Sequence, residues 1–100
     1  MHVLIWQIES QQYAIDLKVV EYLFLAAETT PLPHASDEIL GILNVRGQVI
    51  PVINMRKLLG FSEKSLDVTD HFILVHIDQG QVILWVDYVC KVKLFSKEEL

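Results

Sequence analysis

The residue types that do covalent chemistry meet in "PHASDE", where His34, Ser36 and Asp37 share one short stretch. A nucleophile, its base and the group that orients the base are normally assembled in space from separate segments. Three of them in one loop rarely reach that geometry, so the stretch is expected to be a solvated loop. The histidines are His2, His34, His71 and His76, and no pair has the i, i+4 spacing of a helical zinc motif. His71 and His76 have opposite parity in one expected strand and should point to opposite faces. Cys90 has no second thiol to pair with, which rules out an internal disulfide, and its apolar neighbours predict a packed thiol. Asp78 and Asp87 could form a carboxylate pair, but a hairpin flank and a strand end are ordinary places for Asp. Gly41 and Gly47 precede no helix that would complete a phosphate cradle. The residues therefore predict no catalytic group, no metal site and no cofactor.

The scaffold that holds these positions reads as strands. "VLIWQIE" is a strand, "ESQQ" a turn and "YAIDL" the returning strand. "KVVEYLFLA" follows, with a short helical turn possible at its start. "ETTPLPHASDE" is a loop, since Pro31 and Pro33 bias their preceding residues away from helix. "EILGILNV" and "QVIPVINM" are strands joined at Arg46-Gly47, where glycine supplies the positive φ of a tight hairpin turn. Pro51 has no amide hydrogen for a ladder and predicts an edge or a bulge. "MRKLLG" makes one helical turn capped at Gly60, and "FSEKSLDVTD" is a polar loop. "HFILVHID" and "QVILWVDYV" flank a second hairpin at "DQGQ", and "KVKLF" is a further strand. Ser96 and Glu99 have the spacing of a capping box. Short strands, glycine turns and little helix predict an all-β barrel or sandwich.

Composition narrows the function classes. A chain of 100 residues, 52% hydrophobic and 21% charged, should fold, and as a single domain over residues 1–100. The net charge of -5 with scattered basic residues makes nucleic acid an unlikely partner by charge alone. Arg56-Lys57 and the alternating Lys91 and Lys93 come nearest to a basic patch. The longest uncharged apolar run, "YLFLAA", is far short of the roughly 18 residues of a membrane helix. No basic segment of the signal-peptide kind opens the chain. A cytoplasmic protein with no direct membrane insertion is expected. What remains is recognition by a few exposed groups on a rigid scaffold.

The stretch "GILNVRGQVIPVINMRKLLG" carries the specific signal. Gly41, Asn44, Arg46, Gly47, Pro51, Asn54, Arg56 and Leu59-Gly60 resemble the signature of the CheW-like domain, the adaptor of bacterial chemotaxis. "YAIDLKVVE", with Val19 and Glu21, resembles that family's early segment. "VILWVDYVCKV", with Asp87 and Val89, resembles its Val-Asp-x-Val segment. Two departures stand out. Ile83 occupies a position where family members often carry glycine, which suggests an ordinary packed strand. The sequence also ends soon after "VKLF", where family members usually continue into closing strands.

The resemblance implies two small interlocked five-stranded β-barrels, one incomplete, and a non-enzymatic adaptor or scaffold. Its partners would be the cytoplasmic tip of a chemoreceptor and the regulatory domain of a histidine kinase. Arg46, Val19 and Glu21 would be partner-binding residues, while Gly41, Gly47 and Pro51 would set turn and backbone geometry. Against this stands a bland reading in which Arg46 folds back onto Glu21 or Glu38, and Val19 and Glu21 serve core packing and a local ion pair. Competing functions are a CheW-like competitor, an adaptor of another receptor–kinase pathway, and a small-ligand-binding β-barrel. If the closing strands are missing, "VLIWQIE" should lack a strand partner, and a homodimer through that open edge is expected.

Overall fold

The structure, a computed structural model, describes residues 1–95; the Ser96–Glu99 capping box lies outside the described residues. The strands are β1 (His2–Ile8), β2 (Gln11–Asp16), β3 (Val20–Leu25), β4 (Ile39–Val45), β5 (Gln48–Asn54), β6 (His71–Ile77), β7 (Gly80–Val86) and β8 (Tyr88–Leu94). A 3₁₀ turn at Leu17–Val19 precedes β3, and one helix, α1 (Met55–Leu58), follows β5.

The all-β architecture is as expected, but the strands form two open sheets and not two closed barrels. One sheet has the order β2-β1-β8, the other β3-β6-β7-β5-β4. A barrel needs a continuous ladder between its first and last strands. In the larger sheet the outer strands β3 and β4 share no ladder. Among the described residues a single backbone bridge, from Thr30 beyond the end of β3 to Ile42 of β4, joins the two sides. The smaller sheet has too few strands to curl shut.

β1 corrects a second expectation. It is the central strand of its sheet, paired antiparallel with β2 on one side and β8 on the other. "KVKLF", whose first four residues lie in β8, supplies the strand partner expected to be absent. The Met1 and Phe95 backbones exchange hydrogen bonds of 2.8 Å and extend that ladder. In this sheet the edges left without a ladder among the described residues are the outer sides of β2 and β8.

A third correction concerns "QVILWVDYV", which is not one strand. The chain leaves the larger sheet at Asp87 and enters the smaller one as β8. The break has a cause in the side chain of Asp87, described below.

The core lies on both faces of the larger sheet. Leu4, Trp6 and Ile8 of β1 pack against Ile73, Val75 and Val86. On the opposite face, Phe72, Leu74, Ile83 and Trp85 pack with Ile50, Val52 and Ala26. Strands covered on both sides read as continuous apolar runs, as "HFILV" and "VILWV" do. Ile83 is fully buried between Leu74 and Val52, its neighbours across the ladders.

Candidate partner-binding site

The hairpin between β4 and β5 turns on two residues. Arg46 has φ 52° and Gly47 φ 84°, the backbone of a type I′ turn, whose twist matches that of the flanking strands. Asn44 Oδ1 accepts a hydrogen bond from the Gly47 amide at 2.9 Å and holds the turn shut. A non-glycine residue at positive φ costs about 1 kcal/mol, so the turn carries an arginine where glycine or asparagine would sit with less strain.

That backbone aims the Arg46 side chain at β3. Its guanidinium carbon lies 4.5 Å from the Tyr22 ring centroid, and Nη1 donates to the Tyr22 hydroxyl at 2.5 Å. Arg46 does fold back, but onto Tyr22 and not onto Glu21 or Glu38. An exposed cation on an aromatic face is worth about 0.5–1 kcal/mol, enough to orient the guanidinium without burying it. The donors not directed at Tyr22 remain at the surface.

Beside this pair lies a groove of about 470 Å³ between β3 and the β4–β5 hairpin. Its floor is apolar, formed by Val45, Ile50 and Leu74, and its rim carries Arg46 and Glu21. Glu21 accepts a hydrogen bond of 2.5 Å from Gln81 Nε2 and lies 3.6 Å from His76 Nδ1. It sits where the β3–β6 register shifts between Val20 and Tyr22. Val19 is elsewhere: it ends the 3₁₀ turn, half-buried against the Leu4–Trp6–Val86 core. Neither Tyr22 nor Gln81 is marked by the sequence, because an aromatic and an amide in alternating strands carry no spacing signal, and His76, weighed there only as a metal ligand, faces Glu21 instead.

The three backbone positions are placed as follows. An added Cβ on Gly41 would lie 2.5 Å from the Thr30 carbonyl oxygen, so the bridging segment approaches β4 too closely for any side chain. Gly47 has open space around it and is set apart by its φ alone. Pro51 pairs with Ile42, one residue before the parallel β5–β7 ladder begins at Val52. The register irregularity in that hairpin falls instead in β4, between Ile39 and Gly41.

A second polar cluster fixes the two sheets to each other. Arg56, on α1, is almost fully buried. It grips Asp87 with a fork, Nε to Oδ1 at 3.1 Å and Nη2 to Oδ2 at 2.6 Å. Its Nη1 donates to Glu9 Oε2 at 2.9 Å and to the Ser62 carbonyl at 3.0 Å. Glu9 occupies the β1–β2 turn, and its amide donates to Asp87 Oδ2 at 2.9 Å. Burial alone would raise the Asp87 carboxyl, but the Arg56 fork and the Glu9 amide outweigh it and hold the pKa below the usual carboxylate range. Arg56 is raised, chiefly by its hydrogen bonds to Asp87.

The helix under Arg56 is built by its ends. Asn54 caps it, Oδ1 accepting from the Lys57 amide at 3.2 Å. Gly60, at φ 82°, closes it with two reverse hydrogen bonds, Gly60 to Lys57 and Phe61 to Arg56, the pattern of a Schellman motif.

The other residues considered for chemistry do not converge on this groove. His34, Ser36 and Asp37 lie exposed on the loop before β4, His34 with φ 64°. His71 is half-buried, edge-on to Tyr88 at 5.6 Å. Cys90 Sγ faces Gln7 Oε1 at 3.2 Å. Among the described residues no three His, Cys, Asp or Glu side chains gather as a metal-binding group.

The hairpin, the capped turn after it and the sheet-switching aspartate lie within a match that covers nearly the whole chain: a family model described as the CheW-like domain matches residues 2–100. The chain belongs to the CheW-like domain family. This CheW-like domain is 25% identical over 99 residues to the chemotaxis protein CheW of Treponema pallidum, covering 95% of this chain and 58% of that protein. It is 37% identical over 60 residues to the chemotaxis protein CheW of Thermotoga maritima, covering 60% of this chain and 40% of that protein. The crystal structure of the scaffolding protein TtCheW from Thermoanaerobacter tengcongensis superposes with a TM-score of 0.90 at 26% identity, covering 97% of this chain and 66% of that one. The CheW-like domain thus spans less than two thirds of each of these relatives.

Proposed function

We propose that this chain is a non-enzymatic adaptor of chemotaxis-type signalling that couples the cytoplasmic tip of a chemoreceptor to the regulatory domain of a histidine kinase. The observation that carries the reading is the Arg46–Tyr22 pair on the rim of an apolar-floored groove, in a chain of the CheW-like family. A helical hairpin suits such a groove: a carboxylate meets Arg46, polar side chains meet the rim, and a small apolar group rests on half-buried Val45 above the buried Ile50 and Leu74. Glu21, on the same rim, offers an acceptor to a basic or amide side chain of the partner. Val19 acts from behind, packing the 3₁₀ turn that leads into β3. Such an adaptor works in the cytoplasm; among the described residues no helix is long and apolar enough to cross a membrane.

The test is titration of the chain with receptor-tip and kinase regulatory fragments from its own organism. Binding of both, with receptor binding lost on removing the Arg46 guanidinium, is the expected result. Binding of neither, or an unchanged receptor affinity in a folded Arg46 variant, overturns it. Among the described residues the edge strands open to a homodimer are β2 and β8 of the smaller sheet and β3 and β4 of the larger one. At β8, two-fold pairing about Val92 sets Lys91 of one copy against Lys93 of the other, a like-charge clash. That clash leaves a homodimer the edges of β2, β3 and β4, and sedimentation equilibrium at micromolar concentration tests for it, a compact monomer overturning it.

A further inference from the structure

Two irregularities of the larger sheet aim opposite charges into one groove. Consecutive strand residues point to opposite faces, yet Glu21 and Tyr22 both line the groove beside the β4–β5 hairpin. The cause is a bulge. Val20 pairs with Val75 and Tyr22 with Leu74, so Glu21 has no partner in the ladder and turns to the side of Tyr22. The left-handed backbone of Arg46 aims the guanidinium at the same groove from the hairpin. Bulges and left-handed non-glycine residues cost stability and gather where a side chain has to be aimed. The lining residues run from Glu21 to Gln81, all on the larger sheet or its hairpin turn.

The two charges do not neutralise each other. Among the described residues Arg46 has no ion-pair partner, and the bond to the Tyr22 hydroxyl is the one hydrogen bond its side chain makes. The other donors of its fork are left over. Glu21 is held by an amide and an imidazole, Gln81 at 2.5 Å and His76 at 3.6 Å. A carboxylate has about four lone-pair sites, so Glu21 can accept again. Gln48, paired with Val45 at the base of the turn, brings an exposed amide to the same groove. The volume of about 470 Å³ falls in the range of small-molecule sites. Apolar surface there is scant, half-buried Val45 above the buried Ile50 and Leu74, so a ligand must be held by charge at two points.

We propose that the groove binds a small zwitterion, an ammonium and a carboxylate on one short body, of the size of an α-amino acid or a dipeptide with small side chains. The carboxylate takes the left-over Arg46 donors and the Gln48 amide. The ammonium pairs with Glu21, and a small apolar group rests on Val45. The inference stands on these two charges and not on the receptor reading. Both use Arg46, so a bound zwitterion competes there with a carboxylate of a partner protein.

The experiment titrates the full chain, labelled with ¹⁵N and without any partner protein, with valine and with alanyl-alanine, followed by NMR. The C-terminal amide and the N-acetyl form of each probe remove one charge at a time. Saturable shifts of the Tyr22, Gly47 and Gln81 signals are expected with at least one zwitterion. Each of its blocked forms should bind roughly tenfold more weakly or worse, the loss of one charge-assisted contact. Arg46→Gln should bind the zwitterion and its amide alike, and Glu21→Gln should bind the zwitterion and its N-acetyl form alike. If either variant fails to fold, the blocked probes on the parent decide alone. No saturable shift at millimolar probe, equal affinity for the zwitterion and either blocked form, or shifts confined to residues outside the groove overturns the proposal.

Discussion

Arg56 and Asp87, 31 residues apart in sequence, form a two-point ion pair at the place where the chain passes from one sheet to the other. The Arg56 side chain is 8% exposed and that of Asp87 19%. Glu9 joins from the β1–β2 turn, so one guanidinium holds the helix after β5, the first hairpin and the β7–β8 junction together. The apolar faces of the two sheets could slide over one another with little change in buried area. The directional fork removes that freedom, and it is the reason Asp87 interrupts a run that otherwise reads as one strand.

Breaking the fork from one side should therefore be costly. Arg56→Met leaves a partly buried carboxylate without its cation, and such a loss is worth about 3 kcal/mol. Urea denaturation is expected to show a lowered midpoint of that order. Arg56→Met combined with Asp87→Leu should recover part of the loss, because no stranded charge remains. Strictly additive losses would show that the pair is not coupled.

Acid should find the same weak point. The folded-state pKa of Asp87 is lowered, so its contribution is fully present above the ordinary Asp value of about 3.9. As pH falls below that value the unfolded chain takes up the proton first, and stability drops until the folded carboxyl is protonated too. Arg56 is raised from an already high value and adds no window of its own at workable pH. The Asp87→Asn variant is expected to be less stable at neutral pH and to lose less on acidification than the parent. Parallel stability curves for parent and variant between about pH 2 and 5 would place the acid sensitivity in other groups.

The sequence made some of this legible and hid the rest for physical reasons. Arg46-Gly47 and Gly60 could be read because turns and helix ends impose local demands that few residue types meet, whereas Asn54 stood out only through the resemblance. The role of Asp87 could not: its partners Glu9 and Arg56 are remote, and an aspartate after "LWV" looks like any strand end. The contact between Tyr22 and Arg46 was hidden likewise, since an aromatic in "VEYLFL" suits either face. The parallel pairing of β5 with β7 depends on two runs apolar on both sides, for which period-two patterning gives no register. The closed barrels implied by resemblance gave way to open sheets because Thr30 and Ile42 make a lone bridge where a ladder would be needed.

That bridge makes Gly41 sensitive to the smallest substitution. Gly41→Ala would place a methyl group 2.5 Å from the Thr30 carbonyl oxygen and 2.9 Å from Thr29 Oγ1. The obstacle is backbone, which cannot rotate aside. Overpacking of this kind costs about 1–3 kcal/mol. Thermal unfolding should show the loss, and hydrogen exchange should locate it at the Thr30 and Ile42 amides, which donate across the bridge. Unchanged protection at both amides would mean that β4 shifts to make room.

The Arg46 turn allows stability and recognition to be moved in opposite directions. At φ 52° the residue pays for a left-handed backbone, and glycine removes that cost. Glycine also removes the guanidinium and its contacts with Tyr22. Those contacts are exposed and contribute about 0.5–1 kcal/mol, close to the strain of about 1 kcal/mol that is relieved. Arg46→Gly should therefore fold with nearly unchanged stability, whereas Arg46→Ala, which keeps the strain and loses the contacts, should be the less stable of the two. If the guanidinium meets a carboxylate of the receptor tip, both variants should lose binding alike, by about 2–5 kcal/mol for a desolvated pair. Titration calorimetry alongside urea denaturation separates the two quantities. Equal binding by parent and Arg46→Gly would assign the arginine to the hairpin alone, while a collapse of stability in Arg46→Gly would mean that the Tyr22 contact holds β3 against the β4–β5 hairpin far more strongly than an exposed cation on a ring can.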